Sequence, residues 1–228
     1  MKRHGHPDHL SSSLTDLMTS LMVIFVLLLV TKLNNQASEA TSAVNRVLAK
    51  LEARARKLGD NEKIYRQGDV IVIVIPDELM SFQQGSAQQG GAELSEIGRR
   101  YLQRHIPDWS ALLCDTEIRR DIDTIVVEGH SDRRPFGKVD PKVSKAMNLE
   151  LSQQRSMAVV AEALSNLDGS PHQACFLDLL SATGRGDAHP VDEANPDSEK
   201  NRRVEVRIRV RPNVADSVST HTGGNKER

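Results

Sequence analysis

Aromatic residues are scarce in this chain: one Trp, two Tyr and four Phe in 228 positions. A core must therefore be built mainly from Val, Ile, Leu and Ala. Neither sign of charge dominates, with 30 basic and 31 acidic residues, so nothing draws the chain in bulk to nucleic acid. Cysteine is limited to Cys114 and Cys175, with no CxxC and no Cys/His spacing of a metal centre. Two unrelated small core residues and one disulfide in an oxidising compartment fit that pair equally, and the choice stays open. No P-loop, nucleophile elbow or HExxH motif is present, which speaks against an enzyme and against a resident cofactor or metal. His4, His6, Asp8 and His9 read as a polar tail rather than a metal site.

What the chain does have is one long apolar run. Leu21 to Val30 is ten apolar residues without interruption, inside a stretch from Leu14 to Leu33. At a rise of ~1.5 Å per residue this stretch spans ~30 Å, one bilayer core. Thr15 and Asp16 interrupt the apolar region a cleaved signal peptide needs, and no equally apolar segment exists to bury it in a soluble core. It reads as a membrane anchor over residues 13–33, after a cytoplasmic tail of residues 1–12. Lys2 and Arg3 favour a cytoplasmic N-terminus, although Lys32 and Arg46 on the other side weaken that signal.

Asp16 is the anomaly. A carboxylate in a membrane helix costs up to about 2.5–3.5 kcal/mol at the helix centre and less near an end. Asp16, Thr19 and Ser20 stand at i, i+3 and i+4, on one helix face. Two readings are open on the residues alone: an ion-handling stripe packed against partners, or a side chain snorkelling to the near interface.

Residues 34–64 follow as a helical linker. Val44, Val47, Leu48, Leu51, Ala55 and Leu58 recur at helical spacing, while Arg54 breaks a continuous coiled-coil seam. Such a helix could pair with a copy of itself or lie on the membrane surface. From Asp69 to Ile75 the chain is almost continuously β-branched, the mark of a buried central strand. A helix is expected over 92–105, a strand over 123–127 ending in the loop Glu128–Asp132, a helix up to Leu167, and a strand over 177–182. Val204 to Val210 alternates strictly, so a half-exposed strand is expected there. The order β-α-β-α-β-β predicts an α/β sandwich with helices on one face of a mixed sheet. Residues 212–228 are polar and expected to be disordered.

Five segments, in order, now carry a resemblance. Tyr65 to Asp77, Val127-Glu-Gly-His-Ser-Asp132, Asn148-Leu-Glu-Leu-Ser-Gln-Gln-Arg155, Gly184-Arg-Gly-Asp187 with Pro190, and Asn201-Arg-Arg-Val-Glu205 resemble the OmpA-like peptidoglycan-binding domain over residues 65–211. The resemblance implies that Asp132 and Arg155, with Asn148 on the same helix, hold a diaminopimelate end of the wall peptide. The chemistry is coherent, because a zwitterion wants a carboxylate for its ammonium and a guanidinium fork for its carboxylate. Ser131 replaces the usual Thr, and Arg133 and Arg134 add positive charge beside the site. Taken alone, Asp132 would read as a turn former and Arg155 as a surface ion pair.

The segment Leu14 to Met22 resembles the membrane helix of the B subunits of ion-driven stators, of the flagellar MotB type and the related ZorB type of Zorya anti-phage systems. There Asp16 matches the ion-carrying carboxylate. The resemblance implies a homodimer inside a ring of multi-span MotA/ZorA-like subunits in a bacterial inner membrane. It also implies proton, or sodium, passage at Asp16 and a periplasmic domain that grips peptidoglycan. The short tail, with Leu14 and Thr15 where flagellar members carry an aromatic-rich start, tilts the reading to the Zorya type. A flagellar stator and a passive wall anchor are the alternatives.

Overall fold

The computed structural model describes residues 9–59, 62–82 and 91–211. The expected disordered tail and the tail residues His4, His6 and Asp8 lie outside them. The described chain divides into two units, with the boundary in sequence between Glu39 and Ala40.

In the first unit, helix α1 (His9–Leu58) begins, and its stretch Leu14–Asn35 is long and apolar enough to cross a membrane. The side chains of Leu14 to Val30 are exposed in the single chain, including Phe25 and Leu28. Thr19 donates its hydroxyl to the backbone carbonyl of Asp16 at 2.9 Å.

The second unit is one α/β layer pair. Its five strands are β1 (Lys63–Gln67), β2 (Val70–Pro76), β3 (Ile122–His130), β4 (Leu180–Gly184) and β5 (Arg203–Val210), in the spatial order β1-β2-β5-β3-β4. Among the described residues, only β3 and β4 run parallel. Ile71, Ile73 and Ile75 of β2 and Val204, Val206, Ile208 and Val210 of β5 alternate onto one face. There they meet α2 (Glu96–Leu113) and α4 (Pro141–Ser165), forming one apolar core. This is the expected mixed-sheet class, extended by the unforeseen hairpin strand β1 and two short helices, α3 (Thr116–Arg119) and α5 (Gln173–Leu179).

The structure corrects the linker. Ala43, Val44, Val47 and Leu51 of α1 are buried in the core of this unit, so the apolar stripe faces the domain and not a second copy or a lipid surface. Burial of residues such as Val47 and Leu51 stabilises by roughly 1.5–3 kcal/mol each. Arg54 pairs with Asp108 of α2, and Arg46 with the buried Asp121. The seam-breaking arginine is thus a rim contact of a docked helix.

Helix α2 also runs past its expected end. Pro107 removes one N–H from the helix, a cost of the kind that usually ends one. Burial of Trp109, Leu112 and Leu113 outweighs it. Ser95 caps the start by accepting from Gly98 N at 3.3 Å. Cys114, at the end of α2, is disulfide-bonded to Cys175 in α5. The expected strand from Leu177 starts only at Leu180, because α5 occupies the residues before it.

Helix α4 starts at Pro141 with Asp140 as its cap, and buries Ser144, Asn148, Ser152 and Ser156 in sequence along one face. Small side chains there let the helix sit unusually close to β3 and β4. A Cβ on Gly129 would run into the backbone carbonyl of Ser152, and one on Gly184 into the backbone of Gln153. That close seat fixes where Arg155, further along α4, projects.

Candidate functional site

The site forms where β2, β3, α4 and the start of β5 converge. Pro76 ends β2 and delivers Asp77. Strand β3 ends at His130, and the chain then turns so that Ser131 N donates to Gly186 O at 2.9 Å. Gly186 N in turn donates to Ser152 Oγ on α4 at 2.8 Å. This ladder holds Asp132 at the sheet's end, nearly buried.

Asn201 sets the opposite wall. Its Oδ1 accepts from Asp192 N at 2.9 Å, and its Nδ2 donates to the carbonyls of Asn195 and Pro196 at 3.1 and 3.0 Å. The buried amide thereby ties the loop before β5 into one shape and presents Arg202. Arg202 donates to Asp77 Oδ2 at 3.1 and 3.2 Å and to Asp132 Oδ2 at 3.2 Å. Arg134 also reaches Asp132 Oδ2, from Nε at 2.9 Å and Nη2 at 2.7 Å.

Arg155 stands beside this cluster, half-buried. Its Nε donates to Gly91 O at 2.8 Å and its guanidinium lies 4.9 Å from the centre of the Phe82 ring. Burial pulls its pKa below the usual arginine value; Asp77 and Asp132 oppose that, while Arg202 adds to it. The neighbouring Arg134 is held above the usual value by its hydrogen bonds to Asp132.

The structure thus brings Asp132 and Arg155 into one electrostatic site. Asn148 is buried on α4 one turn before Ser152, against the Gly186 turn. Among the described residues its side chain makes no hydrogen bond to Asp132 or Arg155. The sequence points to Arg134 only as added positive charge beside the site, and does not point to Asp77, Glu199 or Arg202. Asp77 and Arg202 lie inside the family-like segments, and that was the available signal. Only the fold shows that they converge on Asp132.

A second charged cluster lies on the opposite sheet face, where Glu128 and Glu205 are paired across β3 and β5. Strand β3 includes Glu128 and His130, where a loop was expected, so these two share a face while Asp132 leaves it. Strand β5, expected to be half-exposed, is a central strand with Arg203 and Glu205 buried. The polar half of its alternation is buried because it pairs with itself. Arg203 Nε donates to Glu205 Oε1 at 2.7 Å and Arg207 Nη1 to Oε2 at 2.8 Å.

Arg185 lies 3.2 Å from Glu128 and His130 3.1 Å. Burial alone would raise the Glu128 pKa, yet His130, Arg185 and Arg207 bring it down to about 2. Glu128, His130 and Glu205 have ligand atoms within 4.8 Å of one another. Three guanidiniums already neutralise the two carboxylates, so a cation there would have to displace them. The arrangement suits a structural charge network.

No family model matches the sequence. The fold is similar to that of a putative MotB-like protein from Desulfovibrio vulgaris, with a TM-score of 0.53 at 20% identity, over 76% of this chain and 94% of that one. The periplasmic domain of Helicobacter pylori MotB is a looser likeness, with a TM-score of 0.47 at 17% identity, over 67% of this chain and 84% of that one. The chain thus carries a fold like that of this MotB-like protein, preceded by an apolar helix long enough to cross a membrane. In sequence the chain is similar to Zorya protein ZorB of Escherichia coli, at 24% identity over 214 residues, 89% of this chain and 87% of that one.

Proposed function

We propose that the chain is the non-enzymatic B subunit of an ion-driven inner-membrane motor of the Zorya anti-phage type. Two copies sit within a ring of multi-span MotA/ZorA-like subunits, N-termini cytoplasmic and domains periplasmic. The domain grips peptidoglycan through Asp132 and Arg155, and protons, or sodium ions, pass by way of Asp16. The observation that carries this reading is the extent of the likeness to ZorB. It covers 89% of the chain, more than the wall-binding-like domain alone supplies, so it reaches into the helix that bears Asp16.

The disulfide supports a periplasmic domain, since such bridges persist in oxidising compartments. A carboxylate facing a partner helix can cycle between protonated and ionised forms as its surroundings alternate between dry and wet. A domain fixed to the wall gives that cycle something to push against.

The test is Asp16→Asn in cells carrying the chain with its neighbouring multi-span protein. The variant should co-purify with that protein from membranes yet lose phage protection entirely. Undiminished protection in this variant would leave a passive wall anchor as the surviving reading, and that anchor would also tolerate Asp16→Leu.

A further inference from the structure

The two ends of the proposed wall-binding site are not equally ready for a ligand. Asp132 Oδ2 already accepts from Arg134 Nε and Nη2 and from Arg202 Nη1, at 2.9, 2.7 and 3.2 Å. Oδ1 accepts from the Arg134 backbone N at 3.3 Å. A carboxylate offers about four acceptor positions, two to each oxygen, so Oδ2 is saturated. Arg155 differs: only its Nε is engaged, and among the described residues its two terminal nitrogens make no hydrogen bond.

One guanidinium must therefore leave before a ligand ammonium can take Oδ2. Arg202 is held by Asp77 through two hydrogen bonds and is 19% exposed. Arg134 is 48% exposed, and its one other carboxylate partner is Glu199, 3.5 Å away and 71% exposed. Arg134 is the more exposed of the two, and Glu199, which already accepts from it at 3.5 Å and also pairs with Arg202 at 3.1 Å, can retain it when it leaves Asp132.

We propose that Arg134 is a built-in competitor for the ligand, a guanidinium latch that a zwitterionic amino-acid end must displace to reach Asp132 Oδ2. This rests on the wall-binding reading above. The ligand's carboxylate meets Arg155 directly, while its ammonium replaces Arg134, which swings to Glu199. The latch lowers affinity and makes attachment conditional on both ends of the ligand being present.

The experiment compares the full chain in detergent micelles with its Arg134→Ala, Arg134→Gln and Arg133→Ala variants. Retention on isolated diaminopimelate-type sacculi and titration with meso-diaminopimelate are the readouts, with thermal melting to confirm folding. Both Arg134 variants should bind roughly 1.5-fold to fivefold tighter, the range an exposed ion pair commands. Arg133 pairs with Asp187 instead, at 3.3 Å, so Arg133→Ala makes the same charge change and should leave affinity as it was.

Equal or weaker binding by folded Arg134→Ala and Arg134→Gln overturns the latch while leaving wall binding intact. So does equal tightening by Arg133→Ala, which would show an effect of net charge. Binding by the Arg134 variants alone, with none by the parent, supports the latch at its strongest. If parent and variants are all folded and none binds either probe, the wall-binding reading falls and the latch falls with it.

Discussion

Arg46 of the long helix is paired with Asp121, 75 residues further along the chain and 2% exposed. A buried carboxylate at the head of β3 is thus neutralised by a helix that its sequence would assign to a linker. The pair, together with the burial of Val47 and Leu51, makes the second part of α1 a component of the domain.

Arg46→Ala should therefore destabilise the domain although Arg46 itself is 42% exposed. Removing one partner from a fully buried pair costs about 3–5 kcal/mol, and the exposure of Arg46 reduces this to roughly 1–3 kcal/mol. Denaturant unfolding of the full chain in micelles measures it. A change below a few tenths of a kcal/mol would show that the helix is not docked through this contact.

The Cys114–Cys175 bridge closes a loop across a sequence separation of 61 residues. In the chain-entropy account such a loop is worth about 4 kcal/mol, and measured losses on removal run at about 2–5 kcal/mol. Reducing agent should lower the melting temperature of the parent to that of a Cys114→Ala/Cys175→Ala variant and leave the variant unmoved. Indifference of the parent to reductant would mean that the bridge is not formed in solution.

Glu128 gives a pH dependence of known sign. Its pKa lies near 4.5 when unfolded and is brought down to about 2 in the fold. A depressed value contributes stability that is complete above 4.5 and is lost as pH falls towards 2. The full shift is worth on the order of 3 kcal/mol. Between pH 5 and 2 the parent should lose more stability than Glu128→Gln, as followed by melting temperature. Parallel pH profiles for the two proteins would show that His130 and Arg185 do not hold the carboxylate ionised.

Periodicity alone reached the mixed α/β class, the buried β2 strand and the membrane-length helix, because each rests on which residues can be placed in water. It failed where packing overrides local preference. Pro107 reads as a helix end, yet Trp109 and Leu113 lie beyond it in the same buried helix. The alternation of Val204 to Val210 reads as one wet face, yet Arg203 and Glu205 pair with each other out of solvent.

Hydropathy and residue pattern alone place an apolar helix bearing Asp16 ahead of a mixed α/β domain, since both are local properties of the chain. The sequence also carried Asp132 and Arg155, one on each side of a polar insertion. What surrounds these two residues is set by the fold. Arg202 lies 70 residues from Asp132 in the chain, and Asp77 lies 125 from Arg202. These charges meet because Gly129 and Gly184 let α4 close onto the sheet and because Asn201 fixes the loop before β5. Coulombic partners are set by distance in space, and that distance belongs to the fold.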